Sequence, residues 1–305
     1  MARDWHATFS SWAQAPGDTE QERSDNAIRS IRKAIDASEK LNARKIKVFP
    51  QGSYRNRVTV RMDSDVDVGV MLYDYFLSEY PAGKSDAAFG NTTVDYTFAQ
   101  FKNELEEALV ARFGRAAVTR GNKALTVREN TYHLEADVAP FFEFRHYWDD
   151  GTYRAGVAML PDVGPRIDNF PERLVDYWPS TPLHYENGIW KNDATSRTFK
   201  GVVRILKRLR GEMAEAGHTS AQPIPGYLLE CLVWNVPNEA LTHPTWDHCV
   251  QASLLHLWSN LKDDTLCHEW CEVDGIKYLF RPQQKWRRPQ AFTFIDEAWS
   301  YVGVR

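Results

Sequence analysis

Apolar residues recur at 27/28, 31 and 34/35, the spacing of one helical face, so residues 25 to 41 are expected to form a long amphipathic helix with Ser24 or Asp25 as its N-cap. The period then changes. Lys45-Ile46-Lys47-Val48-Phe49 alternates like a strand and stops at the breaker cluster Pro50-Gln51-Gly52-Ser53. Val66 to Leu72 is β-branched and almost wholly apolar, the pattern of a central strand. Helical spacing returns from Tyr96 to Phe113, with Gly114 placed to cap it, and shorter strands are expected near 115 to 119, 124 to 129, 132 to 139 and 152 to 159. Beyond about residue 165 the texture shifts. Turns at Pro161, Pro165, Pro171, Pro179 and Pro182 give way to helical periods over 194 to 213, 227 to 235 and 245 to 261. The expected fold is α+β: a mixed-sheet lobe over 1–165 that includes the N-terminal helix, a helical lobe over 166–305, and a ligand cleft between them.

Composition narrows the function more than the fold. With 305 residues and 43% hydrophobic positions, the chain can bury a core without disulfides or structural metals. Its 37 basic and 41 acidic residues leave a formal net charge of -4, which argues against a protein that coats long nucleic acid but leaves a small polyanionic substrate open. Apolar runs such as Val66 to Leu72 are far shorter than the roughly 20 residues of a membrane span, and Met1 to His6 lacks the apolar core of a secretory signal. A cytosolic protein is expected, with Cys231, Cys249, Cys267 and Cys271 reduced. No C-x-x-C pair occurs, so these read as buried thiols, Cys231 and Cys249 on apolar helix faces, rather than as zinc ligands. The 11 Trp, 13 Tyr and 15 Phe suit a dense core or base stacking, and composition does not separate the two.

Three acidic positions carry the candidate chemistry. Residues two apart in a strand share a face, so Asp65 and Asp67 aim carboxylates at one region, roughly 6 to 7 Å apart along the chain. Such a pair repels itself unless a cation lies between, and hard oxygen ligands suit Mg²⁺ or Mn²⁺. Asp137, in Leu134-Glu135-Ala136-Asp137-Val138, would supply a third carboxylate from a neighbouring strand, as two-metal phosphoryl transfer requires. An isolated Asp-x-Asp is as well read as a solvated strand entry. Two features tip the balance: Asp67 lies inside an apolar strand, where an unpaired charge is costly, and Gly52-Ser53 upstream offers backbone N–H groups and a hydroxyl for a triphosphate.

The run Gly52-Ser53-Tyr54-Arg55-Asn56-Arg57-Val58-Thr59, then Asp63-Ser64-Asp65-Val66-Asp67-Val68, then Asp137, resembles the polymerase-β-type nucleotidyltransferases. More narrowly the chain resembles the bacterial cyclic-oligonucleotide synthases related to cGAS and the oligoadenylate synthases, which serve antiphage signalling. Glu186-Asn187-Gly188, the stretch Phe199 to Lys207 and the stretch Leu229 to Pro237 are similar to clade E of that group.

The resemblance implies a template-independent enzyme that joins two nucleoside triphosphates, UTP and ATP among them, into a uridine-containing cyclic dinucleotide such as cyclic UMP-AMP or cyclic di-UMP. By the same resemblance Asp65 and Asp67 bind two Mg²⁺ ions, Mn²⁺ being an alternative, while Asp137 binds the catalytic one and helps deprotonate the attacking hydroxyl. Gln51, Gly52 and Ser53 are the nucleotide-binding turn, and Lys200 reaches the triphosphate. Arg197, Lys200, Arg204 and Lys207 recur at helical spacing; apart from Lys200 they are expected to form a solvated cationic face. Tyr227 follows Gly226, where relatives carry Ser, and stands either for base stacking or for core packing. Asn169 falls in a loop where some clade E enzymes carry an Asn that favours uracil, with an N-cap before Pro171 as the other reading. Lys285-Trp286-Arg287-Arg288 reads as a solvated loop. A monomer is expected, its product read by a downstream effector. A linear transferase acting on RNA or protein, and a nonenzymatic nucleotide sensor, stay open at this point.

Overall fold

The computed structural model describes residues 3–52, 56–60, 65–169, 183–275, 277–282 and 284–303. They pack as two compact units. One comprises Gly17–Tyr54 and Ser64–Pro182, the other Met1–Pro16, Arg55–Asp63 and Leu183–Arg305. The parting is therefore not a single division at residue 165. A short strand at Ile167–Asn169 pairs back onto the sheet, while the first residues and the stretch after Tyr54 pack with the helices.

The sheet unit is built on a central parallel pair, β2 (Val66–Glu79) and β5 (Ala136–Tyr147). β1 (Ile46–Pro50) lies antiparallel on the outer side of β2, with Val48 opposite Val70. On the other side, β5 is long enough to take two partners. Its first half pairs with β4 (Leu125–Val127), which pairs with β3 (Val118–Arg120), and its second half pairs with β6 (Tyr153–Met159) and through it with β7 (Ile167–Asn169). Helices α2 (Asp18–Asp36) and α3 (Phe98–Phe113) contribute to one apolar core with this sheet, through Ile31, Ala34, Ile35, Phe101, Leu105 and Leu109.

Several bounds differ from the sequence reading. α2 begins at Asp18, with Gly17 at its N-cap; its first turns are polar and carry no apolar period, so the pattern did not reveal them. Ser24 and Asn26, inside it, are buried, and Asn26 Nδ2 donates to the carbonyl of Tyr132 at 3.0 Å. β5 starts at Ala136 rather than 132 and runs through Pro140, where a strand would be expected to stop.

In the helical unit, α1 (Trp5–Trp12) was not anticipated. Asp4 caps it by accepting from Ala7 N at 3.0 Å, and Phe9 enters the helical core. α4 (Leu183–Ala194), α5 (Thr198–Glu215) and α6 (Gly226–Trp234) follow, then α7 (Asn238–Leu241), α8 (Trp246–Leu261), α9 (Asp264–Cys267) and α10 (Arg288–Tyr301). α5 is buried along most of its length. Cys231 and Cys249 lie on buried faces of α6 and α8. In the stretch Lys285 to Arg288, Lys285 and Arg287 are exposed as expected, but Trp286 is buried at 8% exposure, its Nε1 donates to Leu279 O at 2.9 Å, and Arg288 opens α10. Among the described residues no helix is long and apolar enough to cross a membrane.

One buried lysine gives a stability test. Lys191 is 6% exposed, and its ammonium donates to Val236 O at 2.8 Å and Asn238 Oδ1 at 3.2 Å. Burial lowers its pKa to about 8, Glu239 opposing the shift. Between pH 8 and the ordinary lysine value the unfolded chain holds the proton that the native state has lost, so stability rises with pH there. Denaturant titrations of wild type and Lys191→Met across that window should show the wild type gaining relative to the variant, at up to about 1.4 kcal/mol per pH unit.

Candidate functional site

The parallel register of β2 and β5 places Asp67 directly opposite Asp137. Both are half-buried between apolar neighbours that point the other way, Val66 and Val68 on one strand, Ala136 and Val138 on the other. Asp65 stands one residue before β2 and is exposed; Val66 N, next to it, donates to Glu135 O at 2.9 Å and so starts the pairing. The antiparallel register of β4 and β5 brings Thr126 opposite Asp137, and Thr126 Oγ1 donates to Asp137 Oδ1 at 2.6 Å. That bond fixes one carboxylate oxygen and leaves the other to a ligand.

Gln51 continues the ladder beyond β1, its N–H donating to Asp67 O at 2.8 Å. The chain then turns at Gly52, whose φ is +60°. A Cβ at Gly52 would lie 2.0 Å from Asp67 Oδ2. No side chain fits there, so the glycine is required twice, by its backbone and by the carboxylate against it. Ser53 lies outside the described residues.

The field at this edge of the sheet is negative. Burial, and then the charges of Asp65 and Asp137, push the Glu135 carboxyl above the usual range. Among the described residues no three His, Cys, Asp or Glu side chains are gathered as a closed metal site. The donor set is nonetheless hard oxygen in an acidic field, the chemistry that a divalent cation relieves.

In the helical unit, Arg197, just before α5, is exposed as expected, but the rest of the cationic stripe is not a solvated face. Lys200, Arg204 and Lys207 are 8%, 8% and 3% exposed. Arg204 donates from Nε to Ala13 O and from a terminal nitrogen to Arg57 O, each at 2.7 Å, and burial lowers its pKa to about 10. Lys207 Nζ donates to Val58 O at 3.1 Å. The Lys200 ammonium lies 5.6 Å from the centre of the Tyr185 ring. Burial lowers its pKa, with Glu230 opposing and Arg57 and Arg204 assisting. Tyr227 is half-buried; its hydroxyl donates to Glu272 Oε2 at 2.6 Å, and its ring lies 5.5 Å from that of His184 and 6.0 Å from that of Trp286. A Cβ at Gly226 would stand 3.3 Å from Lys207 Cε, so the lysine stem passes close to this position.

The structure thus gathers Gln51, Gly52, Asp67 and Asp137, with Asp65 at the strand entry, in the sheet unit, and places Lys200 and Tyr227 in the helical unit. The backbone of Asn169 ends β7 opposite Val157, while its side chain lies outside the described residues. Thr126 was missed; in a three-residue strand its inward alternation is too short to read.

Comparison with known proteins decides the family. Residues 186–303 match the cGAS/DncV-like nucleotidyltransferase C-terminal helical domain. Along 99% of both chains the sequence is 37% identical to the cyclic dipyrimidine nucleotide synthase CdnE of Cecembia lonarensis, and it is 40% identical, again over 99% of each, to that of Legionella pneumophila. The chain belongs to the CdnE branch of the cGAS/DncV-like nucleotidyltransferases. The solved CdnE c-UMP-AMP synthase of Rhodothermus marinus, with Apcpp and Upnpp, superposes with a TM-score of 0.76 over 98% of this chain and 97% of that one, at 30% identity. This CdnE-branch chain is accordingly a nucleotidyltransferase of α+β fold.

Proposed function

We propose that the cyclic dinucleotide this enzyme synthesises contains uracil, made from UTP alone or from UTP and ATP, and that it serves as a signal for a downstream effector in antiphage defence. The observation that carries the base assignment is the pair of relatives at 37% and 40% identity, both named cyclic dipyrimidine synthases. In this reading the protein works in the cytosol as a monomer, and Asn169 contributes to uracil selection.

Asp65, Asp67 and Asp137 would hold two divalent cations, Mg²⁺ or Mn²⁺. When bound, these supply charge stabilisation at the α-phosphate and lower the pKa of the attacking ribose hydroxyl. The chain's own contribution is positional. Thr126 orients Asp137, which helps take the hydroxyl proton. The bare backbone at Gly52 lets the β and γ phosphates approach, with Ser53 beside it, and Lys200 meets their charge. In each of two rounds a ribose oxygen forms a bond to the α-phosphorus and the bond to pyrophosphate breaks. Gly226 offers no hydroxyl for the triphosphate.

The test is incubation with all four ribonucleoside triphosphates and Mg²⁺ or Mn²⁺, phosphatase treatment and mass spectrometry. A phosphatase-resistant dinucleotide containing uracil is expected. A purine-only ring would overturn the base assignment, and phosphatase-sensitive linear products would favour a transferase that stops before ring closure.

A further inference from the structure

The three buried cations of α5 are held in different ways. Arg204 and Lys207 commit N–H groups to peptide carbonyls, at Ala13, Arg57 and Val58. Lys200 is as deeply buried, but among the described residues no carbonyl accepts from its ammonium and no carboxylate stands within ion-pair distance of it. What it meets instead is the ring of Tyr185 on α4, 5.6 Å from the ring centre. An aromatic face attracts a cation through its quadrupole without taking its N–H groups in hydrogen bonds to oxygen and without cancelling its charge.

The same face of α4 also holds the backbone of Lys200. Tyr185 and Asn192 are seven residues apart, two helical turns, and so lie along one side of the helix. Asn192 Oδ1 accepts from Lys200 N at 3.1 Å, filling one of the donors that the first turn of α5 leaves without an intrahelical partner. Beside it, Phe199 N donates to Thr195 Oγ1 at 3.1 Å. A cation in a first helical turn is disfavoured by the helix dipole, and burial lowers the Lys200 pKa further from its ordinary value. Glu230 of α6 opposes that shift, Arg57 and Arg204 assist it, and Asp193 of α4 opposes it. The chain thus keeps a lysine where it does not favour the helix, fixes its backbone with an amide, and faces its ammonium with a ring rather than an acid.

We propose that Tyr185 is a positioning residue for nucleotide binding: its ring holds the Lys200 ammonium in place with its charge and its N–H donors kept for the oxyanions of a triphosphate. This rests on the reading of Lys200 as the lysine that meets the triphosphate. Tyr185 acts through Lys200 and makes no contact of its own with the nucleotide.

The experiment compares wild type with Tyr185→Leu, Tyr185→Phe, Lys200→Ala and the Tyr185→Leu/Lys200→Ala double variant. It measures thermal midpoint, calorimetric binding of a nonhydrolysable UTP analogue and of inorganic tripolyphosphate with Mg²⁺, and KM and kcat from pyrophosphate release. Tyr185→Leu is expected to weaken the UTP analogue and tripolyphosphate by the same factor, roughly three- to thirtyfold, the range of one cation–π contact, with a smaller change in kcat. Tyr185→Phe keeps the ring and should stay within twofold of wild type. In the Lys200→Ala background Tyr185→Leu should add nothing, the sign of action through one side chain. The pH dependence of tripolyphosphate binding gives a readout that packing alone does not move. The ring favours the charged lysine, so its loss lowers the Lys200 pKa and the fall in affinity at alkaline pH should begin at lower pH in Tyr185→Leu, and that limb should be missing in Lys200→Ala. A Lys200→Ala variant that binds both ligands within twofold of wild type overturns the lysine reading and the proposal with it. Weakening in Lys200→Ala but not in Tyr185→Leu overturns the proposal alone. So does a Tyr185→Leu variant that loses the UTP analogue but not tripolyphosphate, which would place the ring against the nucleoside. If Tyr185→Leu does not fold, Tyr185→Met, which fills the space without a ring, is read against the same outcomes.

Discussion

Asp67→Asn should fold as well as the wild type and lose nucleotidyl transfer by roughly a thousandfold or more, the scale on which loss of a preorganised charge at a reacting group is felt. The substitution keeps the shape of the side chain, and the backbone carbonyl that accepts from Gln51 N is untouched. The charge opposite Asp137 is removed. Its effect on stability runs the other way. Asp65, Asp67, Glu135 and Asp137 crowd one edge of the sheet, and Glu135 is already pushed above the usual carboxylate range by burial and by the charges of Asp65 and Asp137. In a buffer free of divalent cations, neutralising one of these groups relieves repulsion, so the thermal midpoint of Asp67→Asn should equal or exceed that of the wild type. Added Mg²⁺ should then raise the wild-type midpoint more than that of the variant. A folded Asp67→Asn that retains a tenth or more of wild-type pyrophosphate release would remove Asp67 from the cation-binding set.

The central strand and the chemistry on it were legible because Val66 to Leu72 is an apolar run interrupted by a single carboxylate. Asp137 was expected on a neighbouring strand, but strand order and register could not be read. Asp67 meets Asp137 through a pairing between segments 70 residues apart, and nothing local to either sets strand order or register. Pro140 ended the expected strand, yet β5 continues through it, because pairing with β2 on one side and with β4 and then β6 on the other outweighs one missing donor. Trp5, Phe9 and Trp12 stand at helical spacing, but a helix this short is fixed by its docking against the helical core rather than by its own period. The cationic stripe of α5 shows the same limit at a functional position. Its spacing is in the sequence, whereas its burial depends on Ala13 and on carbonyls near residue 57, almost 150 positions earlier in the chain. A charge run ordinarily faces water; this one faces peptide carbonyls that satisfy it, which only tertiary structure reveals.

Gly52→Ala is expected to damage both activity and stability. Its φ of +60° costs a residue with a Cβ about 1 to 2 kcal/mol by itself. The added methyl would also lie 2.0 Å from Asp67 Oδ2 and 2.9 Å from Cγ, so either the turn or the carboxylate must move. If the turn moves, the phosphate-binding backbone is displaced; if Asp67 moves, its pairing with Asp137 is lost. Displacements of about 1 Å at a reacting centre cost on the order of a hundredfold, so activity should fall by at least that much, together with a stability loss of roughly 1 to 3 kcal/mol. Gly211→Ala, on α5 with open space at its Cβ, is the matched control and should stabilise by about 0.5 to 1 kcal/mol while leaving activity alone. Placing Gly52→Ala in an Asp67→Ala background separates the two costs. Removing the carboxylate removes the collision, so the stability penalty of the alanine should shrink to the backbone strain that remains. An undiminished penalty in that background would mean that the turn, and not its contact with Asp67, demands the glycine. Full activity in Gly52→Ala would mean that the phosphate-binding backbone and the carboxylate do not depend on this approach at all.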